Sequence, residues 1–242
     1  GKRAVPQYSE PPRPADRNIL VVDRPGSVQS VIYIGNLAIQ RANREWIPLI
    51  VANQVLGGSA ASRLFMDLRE KRSLTYGAYS AIGERVDIGP FVAYSSVRTE
   101  VTAEAIGAFF HHLELINREP PGTDELVNAR RYLSDSFPLQ VDTPGKLADL
   151  VMELRTYGLP PDYWTNYRSY VRQISASEAH YVARTYIRPA EALVVIVGQA
   201  ADFAPSLDQF GPVTVVSPDG EIKARFPDKR TGPTGAQRGP IQ

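Results

Sequence analysis

A chain of 242 residues, 43% hydrophobic and 22% charged, has the length for a sizeable core and the composition of a folded globular protein. A formal net charge of +1 provides no field to draw in nucleic acid or an anionic membrane, and the absence of cysteine excludes disulfides, thiolate catalysis and cysteine-ligated zinc. The apolar runs, such as Leu193 to Val197, are far too short to span a bilayer.

The chain begins with glycine rather than methionine and shows no signal peptide, which fits a processed product or an excised piece and leaves the compartment open. Residues 1–18, GKRAVPQYSEPPRPADRN, carry four prolines among polar groups and read as a Pro-rich linker. Two β-rich runs follow, Ile19–Val22 and Val28–Ile34, on either side of a turn at Arg24-Pro25-Gly26-Ser27. A helix is expected from about Glu45 to Leu56, with Pro48 tolerated in its first turn and Gly57-Gly58 as its stop. A second helix is expected over Ala60–Lys71. Strands are expected over Thr75–Ile82 and Gly89–Val97.

The second half reads as mostly helical. Ala105, Phe109, Leu113 and Ile116 recur at helical spacing, and Pro120-Pro121-Gly122 ends that helix. Thr123 opens another with an N-cap-like Thr-Asp-Glu-Leu. Further helices fit 144–157, 162–172 and 176–186, the last capped by Ser175 or Ser177. Residues 192–198, ALVVIVG, read as a buried final strand, and 217–242 as a mostly disordered tail. The order of elements indicates an α+β domain over 19–216, with a mainly antiparallel sheet and helices packed on one face.

The chemistry is sparse. The histidines are His111, His112 and His180, and neither H-E-x-x-H nor H-x-x-E-H occurs. His111 and Glu114 are spaced i, i+3, but His112 falls within the apolar arc of its helix and His111 nearly opposite. Gly57-Gly58-Ser59-Ala60-Ala61 lacks the final glycine of a nucleophile elbow and follows a helix, not a strand. No G-K-[ST] follows it, so it is a poor phosphate loop. On the 60–71 helix, Ala61, Leu64, Phe65 and Leu68 form a buried stripe, while Arg63, Asp67 and Glu70 face away as a solvated side. Arg69 sits on the edge of the stripe, and Tyr76 opens the next strand seven positions on. A guanidinium and a phenol brought to one crevice suit a carbonyl or an oxyanion. From the residues alone, an ordinary ion pair for Arg69 and a half-buried strand position for Tyr76 are the favoured readings.

Taken together, DRPGSVQSVIYIGN and LGGSAASRLFMDLREKRSLTYGAYS resemble the pitrilysin/insulinase family of zinc metallopeptidases, which includes the mitochondrial processing peptidase and bacterial processing proteases. The resemblance runs from about Asn18 to Val216. Ser73 and Thr75 stand where glycine and alanine are common, and Ala60-Ala61 replace a frequent Gly-Phe. The resemblance implies a zinc-free C-terminal domain, with no cofactor of its own and the zinc on an H-x-x-E-H domain of the same or a second subunit. It further implies that Arg69 and Tyr76 bind substrate by holding the scissile carbonyl of a peptide, and that the full assembly is dimeric. The alternatives are a catalytically inert scaffold or interaction subunit of the same family, and an independent enzyme built on His111, Glu114 or Ser59.

Overall fold

The computed structural model describes residues 11–226. Its elements run in the order β1 (Asn18–Asp23), β2 (Gln29–Ile39), α1 (Trp46–Leu56) and α2 (Arg63–Phe65), a short turn that runs on into a π-helical turn over Met66–Lys71. Next come β3 (Thr75–Ile82), β4 (Gly89–Arg98), α3 (Thr102–Arg118), α4 (Thr123–Ser136), α5 (Pro144–Tyr157), α6 (Tyr163–Gln173) and α7 (Ala176–Tyr186). The chain closes with β5 (Leu193–Gly198), β6 (Val213–Val216) and β7 (Ile222–Phe226). Among the described residues no helix is long and apolar enough to cross a membrane.

The strands form one sheet in the order β3-β4-β2-β5-β1-β6-β7. The β1–β5 and β1–β6 pairings are parallel and the other four are antiparallel, so the sheet is mainly antiparallel. Period-two alternation decides its two faces. On β2, Ser30, Ile32 and Ile34 are buried, while Val31 and Tyr33 between them are exposed. The buried face carries the helices, and Ala105, Phe109, Leu113 and Ile116 of α3 all lie in the shared core. The other face is open. The fold is the expected α+β sandwich with helices on one side.

Four details differ from the sequence reading. First, β1 and β2 flank a turn but do not pair, because β5 lies between them. Arg24 N–H donates to Gly198 O and Gly26 N–H to Gln199 Oε1, which ties the turn to the end of β5. Second, ALVVIVG is therefore a central strand and not the final one. Third, the β-branched run Val213–Val216 forms β6, and Ser217–Gly220 turns the chain back into β7, with Gly220 at φ 90°. That corrects the expected disorder for 222–226; residues 227–242 lie outside the described residues. Fourth, of the segment read as a linker, residues 1–10 lie outside the described residues, and Arg17 is fastened to the domain. Its guanidinium lies 3.6 Å over the Phe110 ring and donates to Pro189 O and Phe210 O.

Candidate functional site

Arg69 and Tyr76 line one open cleft of about 590 Å³, together with Gln29, Glu70, Ser73, Ser96 and Arg98. The expected helix over Ala60–Lys71 is not continuous. Residues 57–62 form a turn, and only Arg63–Phe65 is α-helical before the ladder widens. Arg72 N–H reaches back to Asp67 O and Leu74 N–H to Leu68 O, spacings of five and six residues rather than four. Such widened turns recur at functional sites. The turn ends on Ser73 at φ 54°, the left-handed region in which glycine is at ease.

Tyr76 is turned out to solvent by a bulge. Strand β3 pairs with β4 at Thr75↔Val97 and again at Ala78↔Ser95, leaving Tyr76 and Gly77 as the irregular step. The bulge is held by two hydroxyls. Thr75 Oγ1 donates to Ser96 O at 2.6 Å and accepts from Gly77 N–H at 3.1 Å, while Ser95 Oγ donates to Gly77 O at 2.8 Å. A Cβ on Gly77 would come within 2.7 Å of the Tyr79 ring, so a larger residue would have to displace that ring. β-bulges re-aim side chains, and here Tyr76 is 88% exposed. That excludes the half-buried strand tyrosine. Among the described residues its hydroxyl has no hydrogen-bond partner.

Arg69 is held less freely. Its guanidinium lies 4.9 Å over the Phe65 ring, and its Nε is 3.4 Å from Glu70 Oε1. Both members of that ion pair are about half exposed, so the pair is weak and the donors remain available to a ligand. Across the cleft, Arg98 is engaged with Glu100 at 2.8 Å.

Arg63 and Asp67 are not solvated, contrary to the helical-wheel reading. Arg63 makes a two-pronged bond to Glu125 of α4, both at 2.7 Å, and Glu125 also accepts from Gly122 N–H to cap that helix. The cap of α4 thus falls at Gly122, one residue before Thr123. Asp67 accepts from His112 Nε2 at 2.9 Å and Arg72 Nε at 3.1 Å. Burial resists ionisation of Asp67, but the bonds from His112 and Arg72 outweigh it and hold its carboxyl below the usual range. Burial likewise pushes the His112 imidazole down, against the pull of Asp67. The acceptor chemistry of Asp67 puts the proton of neutral His112 on Nε2, and the buried Nδ1 has no partner.

The other candidate nucleophiles and ligands do not converge. Glu114 pairs with Arg17, His180 Nε2 bonds Asn117 O, and Ser59 is absorbed in the turn before α2. Among the described residues no group of three or more metal-ligating side chains occurs, so this part of the chain does not fit a zinc ion. Thr75, Ser95, Asp67 and His112 shape the site, a role the sequence reading gave to none of them. Only His112, an imidazole inside an apolar arc, carried a local signal.

The described residues thus bring a weakly paired arginine and an unpaired tyrosine to one cleft, with no cluster of metal ligands among them. Comparisons with known proteins give the family. The family described as "Peptidase M16 inactive domain" matches residues 2–133. The zinc protease YmxG of Bacillus subtilis is 28% identical over 115 residues, which cover 48% of this chain and 28% of that protein. The structure of a peptidase M16 inactive domain from Pseudomonas fluorescens superposes with a TM-score of 0.75 at 23% identity, covering 81% of this chain and 47% of that one. A protease from Helicobacter pylori gives 0.74 at 18% identity, over 82% and 48%. The chain belongs to the peptidase M16 (pitrilysin/insulinase) family of zinc proteases, as its inactive, C-terminal-type domain. It spans under half the length of each of these relatives.

Proposed function

We propose that this domain works as the substrate-holding part of a zinc peptidase whose metal site lies on an H-x-x-E-H domain of the same or a second subunit. The observation that carries the reading is the bulge at Tyr76-Gly77, which spends two hydroxyls on presenting an otherwise unpaired phenol beside Arg69. In the closed assembly the Tyr76 hydroxyl and the Arg69 guanidinium donate hydrogen bonds to the carbonyl oxygen of the bond to be cut. Both strengthen as negative charge grows on that oxygen, so they favour the transition state over the ground state. Zinc on the other domain would supply the activated water. Substrates would be peptides or unfolded chains, because two exposed donors in an open cleft can meet a backbone carbonyl only where the chain is extended. A dimer of two such domain pairs would enclose the cleft.

The test is peptide cleavage by this chain mixed with its H-x-x-E-H partner. Tyr76→Phe and Arg69→Leu should each lower kcat/KM by about 10²–10³, as for loss of one donor of about 2.7–4 kcal/mol, with assembly unchanged. Undiminished turnover in both variants would overturn the reading and leave the inert scaffold in its place.

A further inference from the structure

The open face of the sheet beside the cleft is aromatic. Tyr33, Tyr94 and Tyr79 are register partners across β2, β4 and β3. Their rings stand 6.0 and 6.1 Å apart in one row, and Phe65 backs the far end at 5.6 Å from Tyr79. Tyr33 is 49% exposed and Tyr94 37%, so the row offers ring surface to solvent rather than to the core. A depression of about 390 Å³ lies over it, lined by Tyr33, Tyr79, Tyr94 and Val31 and by no charged side chain. Gln29, Thr75, Tyr76 and Ser96 line both this depression and the Arg69 cleft, so the two form one continuous groove.

We propose that the tyrosine row is a peptide subsite that takes one large uncharged side chain, aromatic or branched aliphatic, about two residues from the carbonyl held by Arg69 and Tyr76. The inference rests on the carbonyl-holding reading. The spacing follows from the sheet. Tyr94 is two residues along β4 from Ser96, the residue to which the Tyr76 bulge is tied, and two residues of strand are about 7 Å. An extended peptide advances at the same rate. The chemistry follows from the lining. A ring or a leucine stacked on Tyr33 and Tyr94 gains apolar burial and offset ring contact. A carboxylate or ammonium entering the same depression would lose water and meet no counter-charge. Its size is that of a small-ligand pocket rather than of a domain interface.

The experiment titrates the labelled 242-residue chain with capped Ala-Ala-X-Ala-Ala peptides, X being Phe, Leu, Ala, Glu or Lys, and follows chemical shifts by NMR. Phe and Leu peptides are expected to bind roughly tenfold tighter than the other three and to shift Tyr33, Tyr79 and Tyr94. The double variant Tyr33→Phe, Tyr94→Phe should keep that preference, and Tyr33→Ser, Tyr94→Ser should abolish it. Should the double serine variant not fold, Tyr33→Ser alone decides, since that ring is half exposed. No side-chain preference, shifts away from the row, or no binding up to roughly 10 mM overturns the proposal. Concentration-dependent shifts without peptide that vanish in Tyr33→Ser also overturn it, by assigning the face to a second copy of the chain. In the same titrations, Arg69→Leu with Tyr76→Phe should weaken all five peptides alike. If it leaves them unchanged while the Phe preference persists, the carbonyl-holding reading fails and the subsite stands.

Discussion

His112 Nε2 donates a 2.9 Å hydrogen bond to Asp67 Oδ2, joining the long helix α3 to the π-helical turn that presents Arg69. Burial holds the folded imidazole below its ordinary value of 6.5, with His111 and Arg63 adding repulsion against the pull of Asp67. In the unfolded chain the same ring takes up its proton normally. Below about pH 6.5 the unfolded state therefore binds more protons, and stability falls as pH falls toward the lower folded value. Asp67, depressed from 3.8, loses its contribution only in a more acidic window. Urea midpoints should decline between about pH 7 and 5, and the decline should be shallower in His112→Gln. Equal slopes in the two proteins would remove His112 as the cause.

Arg41 is 2% exposed and closes the distance between three separate parts of the chain. It donates to Tyr163 Oη at 2.9 Å, pairs with Glu153 at 3.4 Å and Glu84 at 3.6 Å, and lies 5.0 Å over both the Trp46 and Tyr163 rings. Arg41→Leu leaves Glu153 and the Tyr163 hydroxyl half-buried without their cation. The expected cost is about 3 kcal/mol in urea unfolding. Arg41→Lys keeps the charge but cannot span the same partners, and should recover less than half of that loss. Hydrogen exchange in α5 and α6 should rise in both variants.

Gly57 ends α1 where β3 comes closest. Its carbonyl accepts from Ser80 N–H at 2.9 Å, and Ser80 Oγ donates to buried Asn53 at 2.7 Å. A Cβ at 57 would lie 2.4 Å from that hydroxyl and 2.5 Å from the amide nitrogen. Gly57→Ala should therefore destabilise by about 2 kcal/mol, since backbone and not a flexible tip would have to move. Thermal unfolding would show it, and an unchanged Tm would mean that the turn relaxes at no cost.

Ser73 sits at φ 54°, so a β-branched replacement is strained and a glycine is not. Ser73→Val should cost about 2 kcal/mol. Ser73→Gly should change stability by less than about 1 kcal/mol, because relief of strain is offset by a more flexible unfolded chain. If the two variants unfold alike in urea, the left-handed turn is not what shapes this position.

Much of the fold could be read from local pattern, because local pattern reports burial. The spacing of Ala105, Phe109, Leu113 and Ile116 marked the buried face of α3, and of the two caps expected for α7 it is Ser175 whose hydroxyl accepts from Glu178 N–H. Arg69 and Tyr76 line one cleft, as a helix-to-strand turn allows, but the bulge that exposes Tyr76 was not legible. It depends on Ser95, twenty residues away from Thr75, and cross-strand partners leave no trace in a one-dimensional period. Arg63 and Asp67 failed for a related reason. A straight helical wheel counts every polar residue opposite the stripe as solvated, whereas α4 and α3 arrive on that side with Glu125 and His112. The seat of β1 between β5 and β6 is likewise a long-range choice, in which a turn that reads as a hairpin is opened by a third strand.

That seat has a consequence for biosynthesis. The first strand of this domain, β1, has both its partners far along the sequence, one starting at Leu193 and the other at Val213. Until those are made, β1 has no partner along either edge, and β2 leaves the backbone of Val31–Gly35, which later pairs with β5, unpaired. Pairings of such sequence separation close late and slowly, and leave unpaired edges open to aggregation meanwhile. The stretch that carries the family's signature ends at residue 133, inside α4, before either partner strand exists. A chain cut at that point would lack β5, β6 and β7 and would leave β1 without either of its partners.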